Sequence, residues 1–312
     1  MVNVLHKIKN SLNEHFQFWS QDQVEKLIEE DKGTEALIYL NRNIRDYPDN
    51  GFMLSLKGDI LFDLERFSEA INSYKKSLEI KPDQDDTLVN LGHCFHEVGR
   101  YENSIQYYQK YLELEPEDSE ILSSLADNFS HLGKTQEALE IIKKSLDINP
   151  DDFVAKYNHA TILSDLERFE ESNNILEELN SEEQEDSDVL ILQSYNLIKM
   201  SKYEEAIDVC DQALEIYSDD DIALTNKASA LIEINNLDKA KVVLELSRKV
   251  NSGNDDLWFQ KARIFAREND IEDSLDSLLV AVSLDNKNKE LSKSEKDFKN
   301  LLELERFRKI TG

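Results

Sequence analysis

The stretch GFMLSLKGDILFDLERFSEAINSYKKSLEIKPDQ, residues 51–84, decides the fold because the rest of the chain repeats it. Pro48, Pro82, Pro116 and Pro150 recur at a constant interval of 34 residues. The same step from Ala36 lands on Ala70, Ser104, Ala138, Ser172, Ala206, Ala240 and Ser274, a row of small residues without slippage. A second small row runs Gly58, Gly92, Ala126, Ala160, Ser194, Ala228 and Ala262. Self-similarity at a fixed period of this length is the signature of a repeat array.

Within the unit, apolar residues recur at helical spacing twice: Leu54, Leu61 and Leu64, then Ala70, Ile71, Tyr74 and Leu78. Each repeat is therefore two short helices. Gly99 and Gly133 mark the turn between them, as a left-handed helix terminus requires. In KPDQ, EPED and NPDD, proline stops the second helix and the acidic residue after it can cap the next one. The small rows predict close approach of the paired helices.

With these features in place, the chain resembles the tetratricopeptide repeat family. The strongest matches are LVNLGHCFHEVGRYENSIQYYQKYLELEP, residues 88–116, and ILSSLADNFSHLGKTQEALEIIKKSLDINP, residues 121–150. Later copies depart from the pattern, with Gln184, Ser218, Ser252 and Asn286 where proline stood, yet Ala206, Ala228, Ala240 and Ala262 keep the phase. The resemblance implies an all-α fold: an α-solenoid, a right-handed superhelix of about eight 34-residue helix-turn-helix repeats with terminal capping helices. It also implies a concave groove, lined by first helices, that takes an extended or helical peptide. The expected divisions are residues 1–16, a capping helix striped by Leu5, Ile8, Leu12 and Phe16; residues 17–288, the array; and residues 289–312, a second amphipathic capping helix with Leu291, Phe298, Leu301, Leu302 and Phe307. Lys7 and Lys9 leave a membrane-surface helix open as the alternative at the N-terminus.

Of 312 residues, 65 are acidic and 36 basic, a net charge of −29. Such a surface repels polyanions, so neither nucleic acid nor an anionic membrane is an expected partner. Two cysteines, Cys94 and Cys210, are too few for a disulfide framework and fall in distant repeats. With no long apolar run and no signal-peptide core in MVNVLHKIKNSLNEHFQFW, the expectation is a cytoplasmic protein.

The residues that the resemblance assigns to the groove are Asp59, His93, Asp127 and Thr161, then Asp63, Glu97, His131 and Asp165 four positions later, with Asp86 and Glu120 near the helix starts. This row has many carboxylates and no Lys or Arg, which selects a protein or peptide with a basic segment. Asn90, Asn158 and Asn226 share one position in alternate repeats, where an amide suits a peptide backbone or serves as a local cap. In the sixth repeat Ile191, Leu192, Tyr195 and Ile198, followed by Ile222 and Ile232, form an apolar patch that either anchors a partner or packs between helices. Lys199, Arg263 and Arg267 bring positive charge to the last third. The acidic run Asn180–Asp188 reads as a solvated loop or as a flexible point.

His93 with Glu97, and Asp127 with His131, repeat an i,i+4 spacing on neighbouring helices, so a metal- or small-ligand-binding patch, widened by His96, is the second reading. A self-associating structural element is the third. No phosphate loop, nucleophile elbow, paired CxxC or HExxH is present, and no cofactor motif, so the chain is not expected to be an enzyme. The carboxylate clamp of chaperone-binding relatives needs Lys and Arg where this chain has Ser55, Asp59, Glu120 and Ser124. The expected function is a scaffold that binds a basic or amphipathic peptide.

Overall fold

The computed structural model describes residues 23–24, 26–30, 32–82, 84–181 and 186–312. The helix expected over residues 1–16 and residues 182–185 of the acidic run lie outside them. Among the described residues the regular structure is entirely helical. First helices cover Gly51–Asp63, Asp85–Glu97, Ser119–His131, Phe153–Asp165, Ser187–Lys199, Asp221–Glu233 and Asp255–Arg267, each 13 residues long. Second helices cover Gly33–Asp46, Phe67–Ile80, Tyr101–Leu112, Thr135–Ile148, Phe169–Ser181, Tyr203–Ile216, Leu237–Val250 and Ile271–Leu284. The 34-residue phase of the sequence is thus the phase of the helices, which form an α-solenoid of helix-turn-helix repeats. Contacts divide the chain into two compact units, one ending at Asn158 and one beginning at His159.

Both ends of the first helices are chemically specified, except at the start of Asp85–Glu97, where Gln84 makes no capping bond. Asn50, Asp118, Asp152, Asp186, Asp220 and Asn254 accept hydrogen bonds from backbone N–H groups of the turn they precede, the capping role expected of the polar residues there. At the other end every copy places one residue in the left-handed region: Glu65, Gly99, Gly133, Glu167, Ser201, Asn235 and Asn269. The next N–H then reaches back to a carbonyl five residues earlier, as from Arg100 to Phe95 and from Lys134 to Phe129, which turns the chain into the second helix. The sequence marked this turn only where glycine stands. Glu65 and Glu167 adopt it as well, one period from Gly99 and Gly133, with the same bonds from Arg66 to Leu61 and from Arg168 to Leu163.

Inside each pair the small row has a specific partner. A Cβ on Gly58 would lie 2.4 Å from the Tyr74 ring, and one on Gly92 would lie 2.4 Å from Tyr108. Where the row carries Ala or Ser, the residue sixteen positions on is Ile142, Leu176, Cys210, Leu244 or Leu278, all buried. Glycine therefore accompanies tyrosine, and alanine accompanies an aliphatic side chain, so the summed volume fits one inter-helix gap. Cys94 and Cys210 are buried and free, as expected of small core residues.

The end of the chain differs from the single helix expected over 289–312. It forms two short helices, Asn288–Ser294 and Glu305–Thr311, with a 3-10 turn Lys296–Phe298 between them. Phe298, Leu301, Phe307 and Ile310 bury against Phe259, Leu275 and Leu278, whereas Leu291 stays exposed. Ion pairs fasten the segment at the break. Arg263, only 4% exposed, bonds Glu233 and donates to Asp297 at 2.9 Å, and Arg267 donates to the other Asp297 oxygen at 2.8 Å. Lys296 completes the network on Glu233. Arg263 and Arg267 are therefore neutralised internally, and the free positive charge expected from them is absent.

Two unfolding experiments test this packing. Gly92→Ala should lower stability by about 1–3 kcal/mol through overpacking against Tyr108. Gly92→Ala/Tyr108→Ile, which copies the Ala126/Ile142 pair, should lose less than the sum of the two single changes in urea melts. Arg263→Ala should cost about 3–5 kcal/mol, because it leaves Glu233 and Asp297 buried with too little positive charge. Arg306→Ala, which breaks only exposed pairs with Glu272 and Asp276, should leave the midpoint nearly unchanged.

Candidate functional site

In the unit that ends at Asn158, the first helices carry the acidic row, but its members differ in what holds them. Asp59 Oδ1 accepts from the Tyr74 hydroxyl at 2.7 Å and from Asn90 Nδ2 at 3.0 Å. Burial pushes its carboxyl above the usual range; these two bonds oppose that, and the charges of Asp63 and Asp86 add to it. Asp59 thus satisfies a buried tyrosine before it can meet a ligand. Asp63, Asp86, Glu97 and Glu120 are instead exposed.

His93 takes the place of Asp59 one repeat on. Its Nδ1 lies 2.7 Å from the Tyr108 hydroxyl, and burial pushes its imidazole below the ordinary value. The four residues grouped by spacing, His93, Glu97, Asp127 and His131, are therefore not one cluster. His96, expected only to widen that patch, joins Asp127 and His131: one ligand atom of each lies within 4.8 Å of the others. Asp127 sits 3.6 Å from His96 Nδ1 and 3.6 Å from His131 Nε2.

The asparagines form cross-ties between first helices. Asn90 donates to Asp59, Asn158 to Ser123 Oγ at 3.0 Å, and Asn226 to Ser194 Oγ at 3.0 Å. Each amide nitrogen thus makes a bond to the preceding repeat. A second, buried series escaped the sequence reading. Asn128 Nδ2 donates to Ser104 Oγ at 2.9 Å and Ser104 Oγ to the Gly92 carbonyl at 2.7 Å, while Asn128 Oδ1 lies 3.0 Å from His96 Nδ1. The unit that begins at His159 repeats it, Ser164 to Asn196 to Ser172 to the Ala160 carbonyl, at 2.7, 2.8 and 2.7 Å. The 68-residue separation of Asn128 and Asn196, two periods, was the available signal. The serines of the small row are therefore hydrogen-bonding groups as well as small ones.

In that second unit a groove of about 430 Å³ runs along the first helices past Ile198, Lys199, Ser229, Asp256 and Gln260 to Glu233, Arg263 and Lys296. A smaller recess of about 130 Å³ shares its first five residues and adds Tyr195, Thr225 and Asn226. Tyr195 is 40% exposed, edge-on to Phe169 and beneath the Lys199 ammonium, which stands 5.0 Å from the ring centre. Ile191 and Ile198 are half-buried and Ile222 is exposed, but Ile232 is fully buried and leaves the apolar patch. Asp256 opens to solvent within the groove, and the surrounding protein pushes its carboxyl up, as does nearby Asp255, with Lys199 opposing. It shares the register of Asp86 and Glu120, which would have found it. Asp165 is exposed at the end of its helix. Among the described residues no helix is long and apolar enough to cross a membrane.

Comparison with known proteins agrees with this architecture. A family model described as TPR repeat matches residues 58–99, and models described as tetratricopeptide repeat match 83–151, 131–194 and 197–251. No curated protein sequence matches the chain. A tetratricopeptide repeat protein from Parabacteroides merdae superposes with a TM-score of 0.66 at 17% identity, over 83% of this chain and 98% of its own. PilF of Pseudomonas aeruginosa gives 0.56 at 18% identity, over 70% and 96%. The Cut9–Hcn1 hetero-tetramer of the APC/C gives 0.59 at 16% identity, over 85% and 52%. At these identities the likeness speaks for the fold alone. The family models together span more than half of the sequence in the phase that the helices follow, and the chain belongs to the tetratricopeptide repeat family.

Proposed function

We propose that the chain is a non-enzymatic scaffold that binds a basic or amphipathic segment of another protein along its first helices. Tetratricopeptide repeats generally mediate protein–protein interaction. The observation that carries the finer reading is the exposed row Asp63, Asp86, Glu97 and Glu120: no ion pair seen among the described residues engages any of them. Asp63 and Asp86 both disfavour ionisation of Asp59, so these carboxylates act as one negative field. Each exposed pair with a ligand cation adds only about 0.2–1 kcal/mol, so binding depends on several at once and weakens with salt. Tyr195, Ile198 and Ile222 supply apolar contact for an amphipathic partner. In this reading residues 17–288 are the binding array and residues 1–16 and 289–312 close its ends. The buried, free cysteines fit a reducing, cytoplasmic setting.

The test is fluorescence anisotropy with a labelled helical peptide that carries Lys and Arg on one face, beside a Glu-substituted counterpart. The basic peptide should bind, lose affinity as salt rises, and fail to bind Asp63→Lys/Asp86→Lys/Glu120→Lys; equal binding by that variant sinks the proposal. Asp59→Asn separates field from fold, because an amide oxygen still accepts from Tyr74 and Asn90. A carboxyl raised by burial weakens the native state once it ionises, so the variant should be at least as stable as wild type at neutral pH. The difference should close as acid protonates Asp59 in the wild type.

A further inference from the structure

We propose that His96, Asp127 and His131 form a transition-metal site that selects a divalent ion favouring imidazole, such as Zn²⁺. Two imidazoles and one carboxylate are the donor set such ions prefer, and hard cations are poorly served by it. Metal–ligand bonds near 2.0–2.1 Å put tetrahedral donors roughly 3.3–3.5 Å apart. Asp127 Oδ2 lies 3.6 Å from His96 Nδ1 and Asp127 Oδ1 lies 3.6 Å from His131 Nε2, so each imidazole stands close to one of the two carboxylate oxygens. Closing the site then requires the two histidines to approach from within 4.8 Å. Water fills the remaining position.

The donors are held by rigid elements. Asp127 and His131 are one turn apart on the helix Ser119–His131, and His96 comes from the preceding first helix. The Tyr101 ring stacks on His131 at 4.4 Å between centres and 5° between planes, which fixes the orientation of an otherwise exposed imidazole. Asn128, itself tied to Ser104, lies 3.0 Å from His96 Nδ1, and a metal on that nitrogen would take the place of this bond.

The chain supplies its own comparison. At the position equivalent to His96 the second unit has Ser164, and its hydroxyl makes the same bond to Asn196 that His96 makes to Asn128. A serine therefore suffices for the asparagine tie, and the imidazole at 96 goes beyond that structural requirement. The positions equivalent to Asp127 and His131 are Tyr195 and Lys199, so the donor set is assembled in one place only within this register.

The full chain, stripped with chelator, should be titrated with Zn²⁺ and with Co²⁺ as a spectroscopic probe, in excess Mg²⁺ to occupy the many surface carboxylates. One ion per chain should bind, with the absorption of tetrahedral nitrogen-ligated Co²⁺. His96→Ser keeps the Asn128 bond and His131→Gln alters an exposed position; each should weaken binding about tenfold or more at an unchanged unfolding midpoint. His93→Gln should bind as wild type does. Absence of binding by the wild type under these conditions, or equal affinity in His96→Ser and His131→Gln, overturns the site.

Discussion

The contact on which everything else depends is the one between the small residue of a first helix and the side chain sixteen positions later. Gly58 against Tyr74 and Gly92 against Tyr108 set how closely two helices approach. With the spacing fixed, the tyrosine hydroxyl must emerge at the far side of the first helix, and there it needs a polar partner. Asp59 and His93 are that partner, so the identity of two surface-row residues follows from the core. In the later pairs an aliphatic side chain or Cys210 replaces the tyrosine, and this demand on the first helix disappears.

That dependence changes how the acidity is understood. A carboxylate on a first helix can answer an internal need, as Asp59 does for Tyr74 and Asn90, or face a histidine pair, as Asp127 does. Asp63, Asp86, Glu97 and Glu120 answer neither, and their charge is directed at solvent. In the second unit the same distinction removes Arg263 and Arg267 from the surface. Arg263 is the electrostatic centre that fastens the final turn to the last helix pair, opposed by Glu233 and Asp297. Burial opposes ionisation of Glu233, yet the bonds from Lys296 and Arg263 outweigh it and hold its carboxyl below the ordinary value. This contribution is full above about pH 4.5 and is lost as acid titrates the group, the reverse of Asp59.

Much of the site was legible in part. Register arithmetic located the rows, because a residue's place in the 34-residue period decides its face. It could not say which members of a row are bonded, since the partners of Asn90, Asn158 and Asn226 lie more than thirty residues away on another helix. Spacing grouped His93 with Glu97 because both lie on one helix face. The structure grouped His96 with Asp127 and His131 because the neighbouring helix brings His96 toward them.

The sequence by itself determined the repeat length, the two helices per repeat, the capping residues and the small rows, all of which are local or periodic and need no knowledge of distance. Tertiary structure alone decided that the last residues break around Phe298 and that Arg263 is buried rather than displayed. Each of these is settled by packing between helices that the period identifies but does not orient.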